Sequence, residues 1–178
     1  RLETSALKPW REIDTFFAQL YRLSQSDVEL MEDTLFSVAP YRAKGAGAFA
    51  PPMSEHVQIF SRCLHETLQP FLAVTGRTVV INPAEFPQDI HRAAWYFVEI
   101  TTSGQHLNVT PSLLDQAIFT ANDLGASRVI VHADGNQTGL LMGQIAQRRW
   151  WTKTRARLCA THIVHNHLAA LRPSHAKR

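Results

Sequence analysis

Apolar residues first recur at helical spacing. Trp10, Ile13, Phe17, Leu20 and Tyr21 share one face, and Pro9 stands before them at a first helical position, where a missing N–H costs nothing. The spacing predicts a helix with a core-facing side. Ser26 with Glu29 three positions on has the form of a capping box, and Val28, Met31, Leu35 and Val38 extend an apolar stripe that Pro40 stops. The stretch YRAKGAGAFAPP, residues 41–52, has the composition of a connector. Ser54 opens a third helix through Val57, Phe60, Leu64 and Leu68, with Pro70 as its expected end.

From Arg77 the period shortens to two. RTVVI and AAWYFVEITT are rich in β-branched and aromatic residues and predict strands over 77–81 and 94–101. RVIVHA and GLLMGQI predict two more over 128–133 and 139–144, around the turn formers Asp134, Gly135 and Asn136. The alternation of Val79, Ile81, Phe97, Val129 and Val131 places all four in one sheet. Between the pairs, Thr110-Pro111 starts a helix with Leu114, Ala117, Ile118 and Ala121 on one face, and Gly125 supplies a left-handed stop. A last helix over 152–171 covers the sheet with Ala156, Ala160, Ile163, His167 and Leu171. The fold class is therefore α+β: a helical region over 1–75, then a ββαββα unit over 76–178 with a mainly antiparallel sheet, together one compact unit.

With 178 residues, 45% of them hydrophobic and 19% charged, the chain can bury a core and is not a disordered polymer. It has no apolar run of membrane-spanning length and no signal-peptide pattern, so no membrane partner is expected. Cys63 and Cys159 match no CxxC spacing and read as buried thiols of a reducing, cytoplasmic setting. Because the chain opens on Arg1, it reads as a piece of a longer protein whose catalysis lies elsewhere.

Charge changes the picture more. Residues 1–134 carry ten basic and 15 acidic groups, whereas 135–178 carry eight basic and no acidic ones. Such segregation is the footprint of a polyanion partner, or of docking on an acidic neighbour. The pole opens on QRRWWTKTRARLCATHIVHNHL, residues 147–168. If the helix begins before Arg149, then Arg149, Lys153 and Arg157 form one cationic stripe with a rise of about 6 Å per step. If Thr152 is the N-cap, Lys153 and Arg155 lie in a first turn with no carboxylate, where the helix dipole invites an anion. Both placements make Arg148, Arg149, Lys153, Arg155 and Arg157 phosphate contacts. Trp151 is a candidate stacking platform for an unpaired base, with core packing as the competing reading for both tryptophans.

Other motifs carry less. Cys159, His162, His165 and His167 are ligand types close in sequence, but on a helix only His162 and His165 share a face, so no metal is expected. Glu99 and His132 read as isolated polar groups without the partners a nuclease centre needs. RTVVINPAEF, residues 77–86, departs from the Asn/Asp-Pro-Pro-aromatic motif of N6-adenine DNA methyltransferases at Ala84 and Glu85, and no Gly-rich loop precedes it. Asn82 is therefore read as part of a strand-end turn, and neither S-adenosylmethionine nor any other cofactor is expected.

Two stretches nonetheless resemble that enzyme system. LYRLSQSDVELMEDTLFSVAPY, residues 20–41, resembles the Leu-Tyr-x-Leu-Ser segments outside the catalytic domain of large bacterial restriction-modification methyltransferases and related phage-defence proteins. GQIAQRRWWTKTRARLCA, residues 143–160, is similar to the Arg-aromatic-Trp-Thr-x-(Ser/Thr)-Arg-Ala segments near the ends of such proteins. The resemblance implies a noncatalytic accessory subunit or domain that engages nucleic acid, DNA ahead of RNA, with no methyl transfer of its own. The alternative is an assembly module docking on other subunits of a defence complex through the basic, Trp-containing C-terminal helix.

Overall fold

The computed structural model describes residues 3–35, 49–84, 94–108, 110–133 and 138–172, with side chains from residue 12 onward. Helices α1 (Glu3–Leu20), α2 (Gln25–Asp33) and α3 (Ser54–Ala73) precede strands β1 (Val80–Ala84) and β2 (Trp95–Thr101). Helix α4 (Pro111–Asp123), strands β3 (Arg128–His132) and β4 (Gly139–Ile145) and helix α5 (Lys153–Asn166) follow. The four strands form one antiparallel sheet in the order β1-β2-β4-β3. Both predicted strand pairs are present, and the α+β class holds.

Alternation along the strands builds two cores. Val98, Ile100, Leu140 and Met142 face α3 and α5, which pack on them through Phe60, Leu64, Leu68, Ala160 and Ile163. Trp95, Phe97, Val129, Val131 and Leu141 point the other way, against Leu114, Ile118 and Ala121 of α4. The sheet is thus buried on both faces, which is why its central strands β2 and β4 are almost wholly buried. Gly143 is forced by this packing: a Cβ there would lie 2.5 Å from the Phe97 ring and 3.1 Å from Val129 Cγ2. Thr110 precedes Pro111 at the start of α4, and Gly125 ends its turn at φ +63, as the sequence predicts.

Several boundaries move, each for a local reason. Strand β1 begins at Val80, not 77, and runs on through Asn82 and Pro83, which pair with Glu99 and Val98. Asn82 is a ladder residue and not a strand-end turn. Pro83 is tolerated because β1 is an outermost strand. Pro70 lies inside α3 and does not end it. Leu72, fully buried beyond the proline, holds the last turn in place. The Gln69 side chain then ties the exit, accepting from Val79 N at 2.8 Å and donating to Arg77 O at 3.0 Å. Helix α5 stops at Asn166, and residues Leu168–Leu171 form a separate 3-10 turn that still buries Leu171.

At the N-terminal end the corrections are larger. Helix α1 starts at Glu3, placing Pro9 inside it. Its apolar stripe finds no core among the described residues: Phe16, Phe17, Leu20 and Tyr21 are exposed, as are Leu30, Met31 and Leu35 beyond it. The capping box of α2 is Ser24 with Asp27, two residues before the predicted pair. Glu29 is buried instead, on the side of α2 that meets α5. The predicted stop at Pro40, most of the connector over 41–52 and the turn at Asp134 to Asn136 lie outside the described residues. Among the described residues no helix is long and apolar enough to cross a membrane.

Candidate anion-binding cleft

The approach to α5 decides which way its side chains point. Arg148–Trp150 form a 3-10 turn anchored by the Arg148 N–H on Ala50 O at 2.8 Å. Trp151 then turns inward, 1% exposed, against the Phe60 ring at 5.0 Å and with its indole N–H on Ile145 O at 3.1 Å. It is a core residue. Trp150 is half-buried, with the Arg155 guanidinium over its ring at 4.2 Å and that of Arg149 at 5.5 Å. Arg149 also lies over Phe49 at 4.6 Å and donates from Nε to Gln147 Oε1 at 3.0 Å. Thr152 is the N-cap of α5, its hydroxyl accepting from the Arg155 N–H at 3.3 Å. Arg149 therefore precedes the helix, and the regular i, i+4, i+8 stripe through Arg149, Lys153 and Arg157 does not form.

The six residues singled out in the sequence separate into groups. Lys153 and Arg157 sit on the α2 side of α5, where both pair with Glu29, Lys153 at 3.6 Å. The anion invited by the bare helix start is also internal: Asp33 Oδ2 accepts from the Thr154 N–H at 2.8 Å. Burial pushes the Glu29 carboxyl up, but the Gln25 amide, Arg157 and Lys153 outweigh it and hold the group below the ordinary glutamate range. Arg148 and Arg149 stay in the half-buried turn, and Trp151 is in the core.

Arg155 alone of the six lines the cleft on the opposite side of α5. This cleft, of about 710 Å³, opens between the helix, the Gly125–Arg128 turn that starts β3, and the end of β4. Its polar lining includes Arg128, Gln144, Arg155, His162, His165 and Asn166, with Trp150 and Leu158 beside them and, among the described residues, no carboxylate. The floor is a hydrogen-bond chain. Arg128 Nη1 donates to Cys159 Sγ at 3.1 Å, the thiol faces Gln144 Oε1 at 3.6 Å, and Gln144 Nε2 donates to Trp150 O at 3.2 Å. Burial pushes the Cys159 thiol up despite Arg128 beside it, which favours the protonated thiol.

The two histidines of the cleft have assignable tautomers. His165 Nδ1 donates to Thr161 O at 2.8 Å, since a carbonyl only accepts. Asn166 Nδ2 lies 3.3 Å from His162 Nδ1, which places the neutral ring's proton on Nε2. Burial, then the charge of Arg128, then His165 depress the basicity of His162. His167 is depressed in the same way, by burial first and then by His132, His162 and Arg128. It meets His132 at 3.0 Å, so His132 is not isolated, and Glu99 is likewise joined to His106 at 3.0 Å and to the Leu107 N–H. Among the described residues no group of three or more His, Cys, Asp or Glu side chains is placed to hold a metal ion.

Arg128 and Gln144 carried no signal in the sequence. Each is a single polar residue in a strand, and only the β3–β4 register, in which the two are paired, brings them under α5. His162 and His165 share a face as their spacing indicates, and that face is the cleft. The arrangement presents positive charge and N–H donors to one concavity. No protein-family model, curated protein or solved structure matches the chain.

Proposed function

We propose that this chain is a noncatalytic nucleic-acid-binding domain, DNA ahead of RNA, acting as an accessory part of a bacterial restriction-modification or phage-defence system. The observation that carries the reading is the cleft lined by Arg128, Arg155, His162 and His165, with no carboxylate among its described lining residues. A surface that gathers positive groups on one concavity, with no internal counter-charge in its lining, matches phosphate better than any neutral ligand. The resemblance of residues 20–41 and 143–160 to defence methyltransferases supplies the biological setting, and the departures in NPAEF keep methyl transfer out of the proposal. The phosphate contacts shift accordingly, from the row at 148–157 to Arg155 together with Arg128.

A salt titration tests this. Affinity for duplex or single-stranded DNA falls linearly on log–log axes, and replacing Arg128 and Arg155 together with Gln lowers the slope magnitude by about 2 across unrelated sequences. Binding that is absent at low salt, or a slope unchanged in the double variant, refutes the reading.

A second reading draws on a separate observation, the exposed Phe16, Phe17, Leu20 and Tyr21 of α1. Contiguous apolar residues of this size on a helix mark a protein contact. The docking surface of an assembly module would then be α1 with α2, not the C-terminal helix, whose Trp151 is buried. Salt-resistant association that is lost on replacing Phe16 and Phe17 with Ser would favour it.

A further inference from the structure

We infer that the cleft takes a strand end, binding a terminal phosphomonoester of a nucleic acid in preference to the phosphodiesters of a continuous backbone. The inference rests on the nucleic-acid reading and narrows it to one chemical group. Its first support is shape. A cavity of about 710 Å³ bounded by a turn, two strand ends and a helix is of the size that encloses one small ligand unit. Its second is charge. Arg128 and Arg155 are permanently cationic and converge with His162 and His165 on the same space. A diester brings one negative charge, whereas a phosphomonoester brings about 1.5 to 2 at neutral pH, which matches a pair of guanidiniums more closely.

The third support is the proton inventory. The neutral His162 ring carries its proton on Nε2 and can donate to a phosphate oxygen without being charged. His165 spends its Nδ1 proton on Thr161 O, so its Nε2 edge is the one left to face a ligand. A phosphomonoester offers three terminal oxygens to these donors, where a diester offers two. Among the described residues no carboxylate lines the space, so these side chains meet the charge directly.

The test compares otherwise identical, internally labelled single strands with a 5′ phosphate, a 3′ phosphate, hydroxyls at both ends, or no ends because they are circular. Fluorescence anisotropy at fixed salt is expected to give about tenfold tighter binding to a phosphorylated end than to hydroxyl ends or the circle. Arg155→Gln and His162→Gln should each shrink that ratio at least severalfold while leaving the thermal midpoint within a few degrees, as expected for groups outside the core. These variants are preferred to Arg128→Gln, which also breaks the contact with Cys159. In parallel, the imidazole resonances of His162 should shift on adding a 5′-phosphorylated trinucleotide and not its dephosphorylated counterpart. Equal binding of circle and phosphorylated strand overturns the inference and leaves the broader reading standing. Failure of every strand to bind overturns both.

Discussion

The two sides of α5 carry similar cations and meet opposite fates. Toward α2, Lys153 and Arg157 are met by Glu29, and the helix start is met by Asp33. Toward the cleft, Arg155, His162 and His165 join Arg128 with no carboxylate among them. A basic run in a sequence therefore says how much charge there is and not how much is available. The carboxylate that satisfies Thr154 lies 121 positions away, and it converts part of an apparent polyanion footprint into an internal joint.

The largest effect breaks both sides at once. Trp151→Ala removes the side chain that turns the chain into α5 and should cost about 3–5 kcal/mol in a denaturant melt. A loss below about 1 kcal/mol would mean the indole is not the anchor it looks to be. Arg157→Ala acts on the α2 side alone. It leaves the Glu29 carboxylate largely buried with Lys153 and the Gln25 amide as its partners, and because Arg157 is 33% exposed, solvent reduces the usual penalty to about 1–2 kcal/mol. A double-mutant cycle with Glu29→Gln should recover a coupling of about 1 kcal/mol. Zero coupling would dissolve the contrast between the two sides.

On the cleft side the same kind of change should leave stability alone. Arg155→Gln is expected to stay within about 0.5 kcal/mol of the parent, while Lys153→Gln with Arg157→Gln should change the DNA salt slope by less than about 1 unit. A full loss of slope in the latter pair would show that α2 yields its cations to phosphate. The smallest effect is on pH. His56, His162 and His167 are all held below the ordinary histidine value, mainly by burial, so the folded state binds fewer protons than the unfolded one. Stability is then fully present above about pH 6.5 and declines as pH falls through the lowered folded values. Thermal melts from pH 7.5 to 5.5 check the sign, and a midpoint that rises on acidification contradicts it.

The sheet was legible because β2 and β4 alternate cleanly and α4 carries both its start signal and its glycine stop. Pro70 and Pro9 misled because a local rule about prolines was outweighed, at Pro70 by the buried Leu72 beyond it. At α2, two overlapping Ser-x-x-acid patterns competed. Glu29 could not cap Ser26 while pairing with Arg157, and Ser24 with Asp27 closed the box instead. The apolar stripe of α1 forms the helix its spacing predicts, yet Phe16, Phe17, Leu20 and Tyr21 are exposed, since periodicity shows a face but not what covers it. Of the basic run, only Arg155 lines the cleft, because the packing of α2 takes Lys153 and Arg157 to the other side of α5. Arg128 and Gln144 enter only through strand register, which no local pattern encodes.

That register has a guardian on the far face of the sheet. Phe97 of β2 lies across Gly143 of β4 and reaches Val129 of β3, filling the place where any other residue would set a side chain. A two-residue slip of β2 along β4 would bring Leu141 or Ile145 beneath the ring, where there is no room for either. The missing methyl thus works as a keyway. It fixes three strands against sliding, and through the Arg128–Gln144 pairing one residue further along it sets the alignment of the cleft floor on the opposite surface.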